Sequence, residues 1–332
     1  MGKSIPVKSI LLFFIKLIVS ISILVFVLYK VNLNNFVQTI TEISWFIYLY
    51  LFLFSFLLVS INVKIQQSIF MFFNYKFPFI KTLQHNYISL LFTLIIPGFY
   101  APDFYLVIYF NKEIKNYSLT LAGIFINRLF GFFIFLFFGL ISILVLHSYF
   151  PLGHIFDITK SFNFFIVLVI IVILLLLGVL FIKKFWYEKV HSFKNIIIKV
   201  KTNISNNCRL FFRFIMLKLI WYLVSILGRV LIALLLGINI PILQLAGVII
   251  LVNFLISLPI SVNGIGIREF GFIGLFSLFG IDNTVALTIS MLDFSLFIIP
   301  TIIGAMNLLA IKSTKLSIFR PPSINLDEKN LD

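Results

Sequence analysis

Residues 118–147 read SLTLAGIFINRLFGFFIFLFFGLISILVLH, and Arg128 is the one formal charge among them. As a helix this stretch extends about 45 Å at about 1.5 Å per residue, more than enough to cross a hydrocarbon core that needs about 20 apolar residues. Working outward, 9–29, 44–63, 162–182, 210–236, 241–260 and 283–311 are apolar runs of similar length. Two further stretches, 86–110 and 261–280, are apolar but broken by Pro and Gly. The expected fold is an all-α integral membrane protein, a polytopic bundle of about eight transmembrane helices with two broken or re-entrant segments. Residues 1–316 are expected to form one transmembrane domain, and 317–332 a polar cytoplasmic tail.

Composition agrees. Of 332 residues, 61% are hydrophobic and 11% charged, against about 45–50% and about 25% in soluble domains. The net charge of +15 does not imply nucleic acid, because the basic residues sit in short loops beside apolar runs, where they face anionic headgroups. Cys208 stands alone, which excludes an internal disulfide. His85, His147, His154 and His191 lack metal-ligand spacing, so neither a metal nor a cofactor is expected. The first residues, Met1 to Pro6, lack a hydroxyl residue at position six for myristoylation. The first apolar run ends at Lys30 without a small-residue cleavage site, the pattern of an uncleaved helix.

Lysine and arginine in short loops set orientation. The 183–209 stretch carries Lys183, Lys184, Lys189, Lys194, Lys199, Lys201 and Arg209, and the 64–81 loop carries Lys64, Lys76 and Lys81. The connections 148–161 and 237–240 hold only Lys160 between them. Both termini and 183–209 therefore belong in the cytoplasm of a cell whose inner membrane the chain occupies. Lysines flank 86–110 on both sides (Lys81, then Lys112 and Lys115), so it should enter and leave on one face as a hairpin or re-entrant pair. The 183–209 stretch reads either as an amphipathic segment on the inner leaflet or as a solvated basic loop.

Both broken stretches share an order: apolar run, Pro, a loose turn, a carboxylate, then Phe. The first is Ile96-Pro97-Gly98 to Pro102-Asp103-Phe104; the second is Leu258-Pro259 through Asn263-Gly264-Ile265-Gly266 to Arg268-Glu269-Phe270. Each can be an ordinary interfacial turn. Paired interruptions in two halves of a chain also mark transporter substrate sites. Gly264 and Gly266 permit positive φ and close backbone approach, and they precede a helix start whose N–H groups can hold an anion. Arg268 can add a two-pronged phosphate contact, and Glu269 can serve as its counter-ion, as a helix-start partner or as a proton-linked group. Arg128 beside Asn127, Arg229 and Asp293 lie deep in apolar runs, where ionisable residues face the bundle interior and find partners. Lys218 is ambiguous by depth, while Lys16 and Arg213 lie near helix ends and snorkel. Three arginines (128, 229, 268) match three carboxylates (103, 269, 293), so a structural ion-pair network is the plain alternative to a site.

Ser261 to Glu269, followed by an apolar run, Gly280 and a long last helix, resembles the closing motif of the flippase-like family, which includes the transmembrane domain of lysylphosphatidylglycerol synthase. Pro97-Gly98, Asp103 and Asn127-Arg128 are similar to its first-half pattern, and the resemblance covers nearly the whole chain. It implies about eight helices with re-entrant elements and a role in moving lipid headgroups. The chain departs from the pattern at Leu106, Asn127 and Asp293, where the family often carries Arg, an acidic residue and Arg. The synthase's soluble transferase domain has no counterpart after residue 312, so the chain is not expected to make lysyl-lipid.

The expected function is translocation of a phosphate-bearing headgroup, of a phospholipid or a polyprenyl phosphate, with no enzymatic step. Asp103, Asn127, Arg128, Arg229, Asn263, Gly264, Gly266, Arg268, Glu269 and Asp293 are the expected substrate-binding residues. Two rivals remain: a polyprenyl-phosphate-dependent membrane enzyme, and a non-transporting subunit of a lipid-modifying complex. A lipid-modifying enzyme is the expected protein partner, if there is one.

Overall fold

The computed structural model describes residues 18, 20–27, 29, 31, 33–95, 101–146, 149, 208–257 and 261–312. Residues 20–27 are helical. After them come α1 (Leu33–Glu42), α2 (Trp45–Phe72), α3 (Phe79–Ile95), α4 (Ala101–Ile114), α5 (Tyr117–Leu146), α6 (Cys208–Leu235), α7 (Ile242–Ser257), α8 (Ile267–Ser277) and α9 (Asn283–Lys312). Among the described residues there is no strand, and α2, α5, α6 and α9 are long and apolar enough to cross a membrane. The expected span 162–182, the basic stretch up to residue 207, Pro97-Gly98, Pro259 and the tail 317–332 lie outside the described residues.

The described apolar runs are helices close to their expected limits, with two differences. The run 44–63 continues to Phe72, past Lys64, because the polar residues that follow are satisfied inside the bundle. Gln66 donates to Asn86 Oδ1 at 2.9 Å, Gln67 donates to the Phe77 carbonyl at 2.6 Å, and Lys64 lies over the Phe79 ring. The expected loop 64–81 shrinks to a turn with Asn74 at φ 67°. The other difference is α1, a short helix that the span-length criterion passes over. Phe36 on α1 packs with Val27, Val31 and Leu287.

The first broken stretch is a helical hairpin. His85 Nδ1 lies 2.6 Å from the Tyr105 hydroxyl, Thr82 Oγ1 lies 3.4 Å from that of Tyr109, and Phe92 stacks on Tyr105. Contacts near one end of α3 thus meet the far end of α4, so the two helices run antiparallel and their outer ends share a face, as the flanking lysines require. The second is another hairpin: Gly271 on α8 faces Val252 and Leu255 on α7, and Gly264 faces Ile256. The last helix, α9, packs against α1, α2, α3 and α8. A Cβ on Gly304 would lie 2.0 Å from the Tyr87 carbonyl oxygen, so only glycine lets α9 and α3 approach this closely.

Loops sort into two ends. Tyr149 contacts Phe279 and accepts a hydrogen bond from Gln244, while Ile238, Ile240 and Leu245 cluster with Phe276 and Ala286. At the other end Phe72, Phe73, Phe77, Ile114 and Phe214 pack together. Among the described residues, the lysine-free connections 237–240 and 278–282 therefore gather at one end, and those that carry Lys76 and Lys115 at the other.

Candidate functional site

The deep charges form two groups. In the first, Asp103 lies in the first turn of α4, where helix N-termini favour carboxylates. Helices α4 and α5 fold back at Lys115 and Asn116, which brings Arg128 level with Asp103, about 16 Å from the start of α5. Arg128 Nε donates to Asp103 Oδ2 at 2.7 Å and Nη2 to Oδ1 at 3.0 Å, a two-pronged pair. The pair is not closed off: the Arg128 side chain is 34% exposed and that of Asp103 17%. The Asn127 side-chain oxygen is buried with no hydrogen-bond partner. Tyr222 from α6 donates to the Gly131 carbonyl at 2.9 Å, one turn further along α5.

The second group is drier. Asp293 on α9 accepts from Arg229 Nε at 2.5 Å and lies 3.4 Å from Arg268 Nε, with both Asp293 and Arg268 side chains 7% exposed. Arg229 Nη1 also donates to the carbonyl of Ser225 at 3.0 Å and to its hydroxyl. The Arg268 guanidinium lies 4.6 Å over the Phe294 ring and donates through Nη2 to the Asn263 carbonyl at 3.3 Å. Its Nε and Nη1 nevertheless have no hydrogen-bond partner.

The tips of the two hairpins touch. Asn263, at φ 54°, donates through Nδ2 to the Thr93 carbonyl at 3.0 Å, near the end of α3. The Val262 amide donates to Ser20 Oγ at 2.9 Å. Glycine geometry at the second tip differs from the expectation of backbone laid open to a ligand. Gly264 and Gly266 have φ of 81° and 84°, and a Cβ on Gly264 would meet Ile256 while one on Gly266 would lie 2.7 Å from the Ser20 carbonyl. Both glycines make room for protein. The start of α8 is also not an open anion nest. Glu269 turns back to accept the Gly266 amide at 2.6 Å, and the Arg268 amide bonds the Gly264 carbonyl. Ser290 donates to the other Glu269 oxygen at 3.3 Å. Of the roles open to Glu269, that of helix-start partner is the one its hydrogen bonds fit.

Of the residues singled out from sequence, Asp103, Asn127 and Arg128 thus fall in one group. Arg229, Asn263, Gly264, Gly266, Arg268, Glu269 and Asp293 fall in the other. Lys218, left ambiguous by its depth, is buried on α6 and faces the first group. Its signal was present: Lys218, Tyr222, Ser225 and Arg229 lie four, three and four residues apart, a single helical face.

Long apolar helices enclosing ion pairs at mid-depth define a multi-pass membrane protein with a polar interior. The chain belongs to the family described as the lysylphosphatidylglycerol synthase TM region, which it matches over residues 13–304. No curated protein and no solved structure matches it. Membership points to the membrane biology of lipid metabolism or translocation.

Proposed function

We propose that this chain moves a phosphate-bearing lipid headgroup across the cell's inner membrane, with its termini and the 183–209 stretch on the cytoplasmic side. The headgroup passes through the polar interior while the acyl chains stay in lipid. The observation that carries this reading is Arg268: a buried guanidinium where two hairpin tips meet, whose Nη1 has no hydrogen-bond partner and whose Nε is met only by the Asp293 carboxylate at 3.4 Å. A buried donor without a partner forfeits its desolvation energy, and phosphate oxygens match a guanidinium fork. Arg128 and Arg229 supply further positive charge, and Asp103 and Asp293 keep the arginines placed when no headgroup is bound. In this reading the chain carries the lipid without altering it.

The extent of internal pairing favours one rival, an accessory subunit whose charges only hold the bundle. Purified protein in phosphatidylcholine vesicles, given a panel of fluorescent headgroup-labelled lipids, separates the two. A carrier exposes labelled lipid of at least one phosphate class faster than protein-free vesicles do; an accessory subunit leaves every lipid at the protein-free rate.

A further inference from the structure

Among the described residues, Lys218 is the buried cation that no ion pair takes up. Its residue is 9% exposed, about 15 Å from the start of α6. Among the described residues it makes no hydrogen bond and no ion pair, while the charges of Arg128 and Asp103 both act on it. Its Nζ sits 3.2 Å from where a Gly131 Cβ would be, so the missing side chain at 131 is what admits the ammonium to the α5 face that carries Arg128. Residues 128 and 131 are three apart and share that face. The second group sums to zero charge, with Arg229 and Arg268 against Asp293 and Glu269. The first sums to +1, with Arg128 and Lys218 against Asp103. A buried ammonium without a partner is destabilising, and it is relieved either by loss of its proton or by an anion that meets it.

We infer that Lys218 and Arg128 form an anion subsite for a phosphate group, separate from Arg268, in which Asp103 holds Arg128 until the anion displaces it. This inference rests on the reading that the chain takes phosphate-bearing lipid. Tyr222 and Ser225 continue the same face of α6 to Arg229, about 16 Å further along the axis. The subsite is therefore one of two stations joined by a polar stripe: the anion is held first by Lys218 and Arg128, then by Arg229 and Arg268.

The test measures binding of phosphatidylglycerol, and separately of inorganic phosphate, to the purified full chain in phosphatidylcholine nanodiscs. Lys218→Met should weaken binding roughly tenfold, the order expected for one charge-assisted hydrogen bond, and Lys218→Arg should restore most of it. Asp103→Asn should tighten binding, because it removes the competing carboxylate. Thermal unfolding adds a readout that a structural role would not give: Lys218→Met should melt no lower than the native chain, since it removes a buried unpaired charge. Binding of phosphatidylglycerol alone assigns the subsite to a headgroup; binding of inorganic phosphate as well assigns it to the anion itself. Native-like affinity in Lys218→Met, or equal weakening in Lys218→Met and Asp103→Asn, overturns the subsite and leaves the translocation reading standing on Arg268. Failure of the native chain to bind either probe removes both.

Discussion

Replacing Asp293 with Asn removes the charge that two buried arginines share while keeping the side chain's shape. Its carboxylate lies 2.5 Å from Arg229 Nε and 3.4 Å from Arg268 Nε. Unit charges about 4 Å apart interact by about 4 kcal/mol at an effective dielectric near 20. Removing one member of a buried pair costs about 3–5 kcal/mol, because the other is left uncompensated. The Asp293 side chain is only 7% exposed, so solvent returns little of this. The remaining amide oxygen still accepts one hydrogen bond worth about 1 kcal/mol. The expected loss is therefore about 3 kcal/mol, a fall in melting midpoint of about 4 °C for 332 residues. Cys208 is exposed, so far-UV circular dichroism in detergent is a better readout than a thiol-reactive dye. Arg229→Gln should cost less when Asp293→Asn is already present, by about 2 kcal/mol of coupling. A loss below about 1 kcal/mol for Asp293→Asn, with strict additivity in the double variant, would refute a buried charge centre here.

Gly266→Val should lower the yield of folded protein on fluorescence-detected size exclusion, because φ is 84° and the Ser20 carbonyl occupies the space; Gly304→Ala should do the same where α9 meets Tyr87. Asp282, in the turn before α9, has its carboxyl held below the usual carboxylate range by the Thr284 hydroxyl and amide, the amide bond measuring 2.7 Å. Because the folded value is the lower one, this stabilisation is present above about pH 4 and is lost as pH falls through the folded value. Asp282→Ala should therefore lower stability by about 1 kcal/mol near neutral pH, with the difference closing in acid melts. In a Cys208→Ser background, a cysteine at Asn195 should resist an impermeant maleimide added to intact cells; efficient labelling would invert the orientation.

The membrane class, the long helices among the described residues and the first hairpin were legible because run length and lysine position are local properties of the chain. The Asp103–Arg128 pair was within reach too: the two residues lie almost equally far from the turn at Lys115 and Asn116, so an antiparallel fold brings them level. The amphipathic α1, with Leu33, Phe36, Val37 and Ile40 at helical spacing, escapes a criterion tuned to long apolar spans. Other features depend on tertiary packing. No spacing rule tells that Asp293 sits between Arg229 and Arg268, since those residues come from three helices far apart in sequence. The role of Gly266 is hidden for the same reason: its demand comes from the Ser20 carbonyl, nearly the whole chain away. Sequence alone leaves Glu269 open between counter-ion, helix-start partner and proton-linked group; adjacent positions on a helix diverge, and the carboxylate reaches back to its own N-terminus.

The most direct test of the central claim is lipid movement by Arg268→Lys in proteoliposomes, normalised to folded protein and compared with the native chain. Lysine keeps the charge that Asp293 requires but loses the planar fork whose Nε and Nη1 make no hydrogen bond. The account predicts a melting midpoint within a few degrees of native and translocation of phosphate-bearing lipid reduced on the order of tenfold, as for one lost charge-assisted contact. Movement of every lipid at the native rate would contradict it, and would leave Arg268 as packing between two hairpin tips.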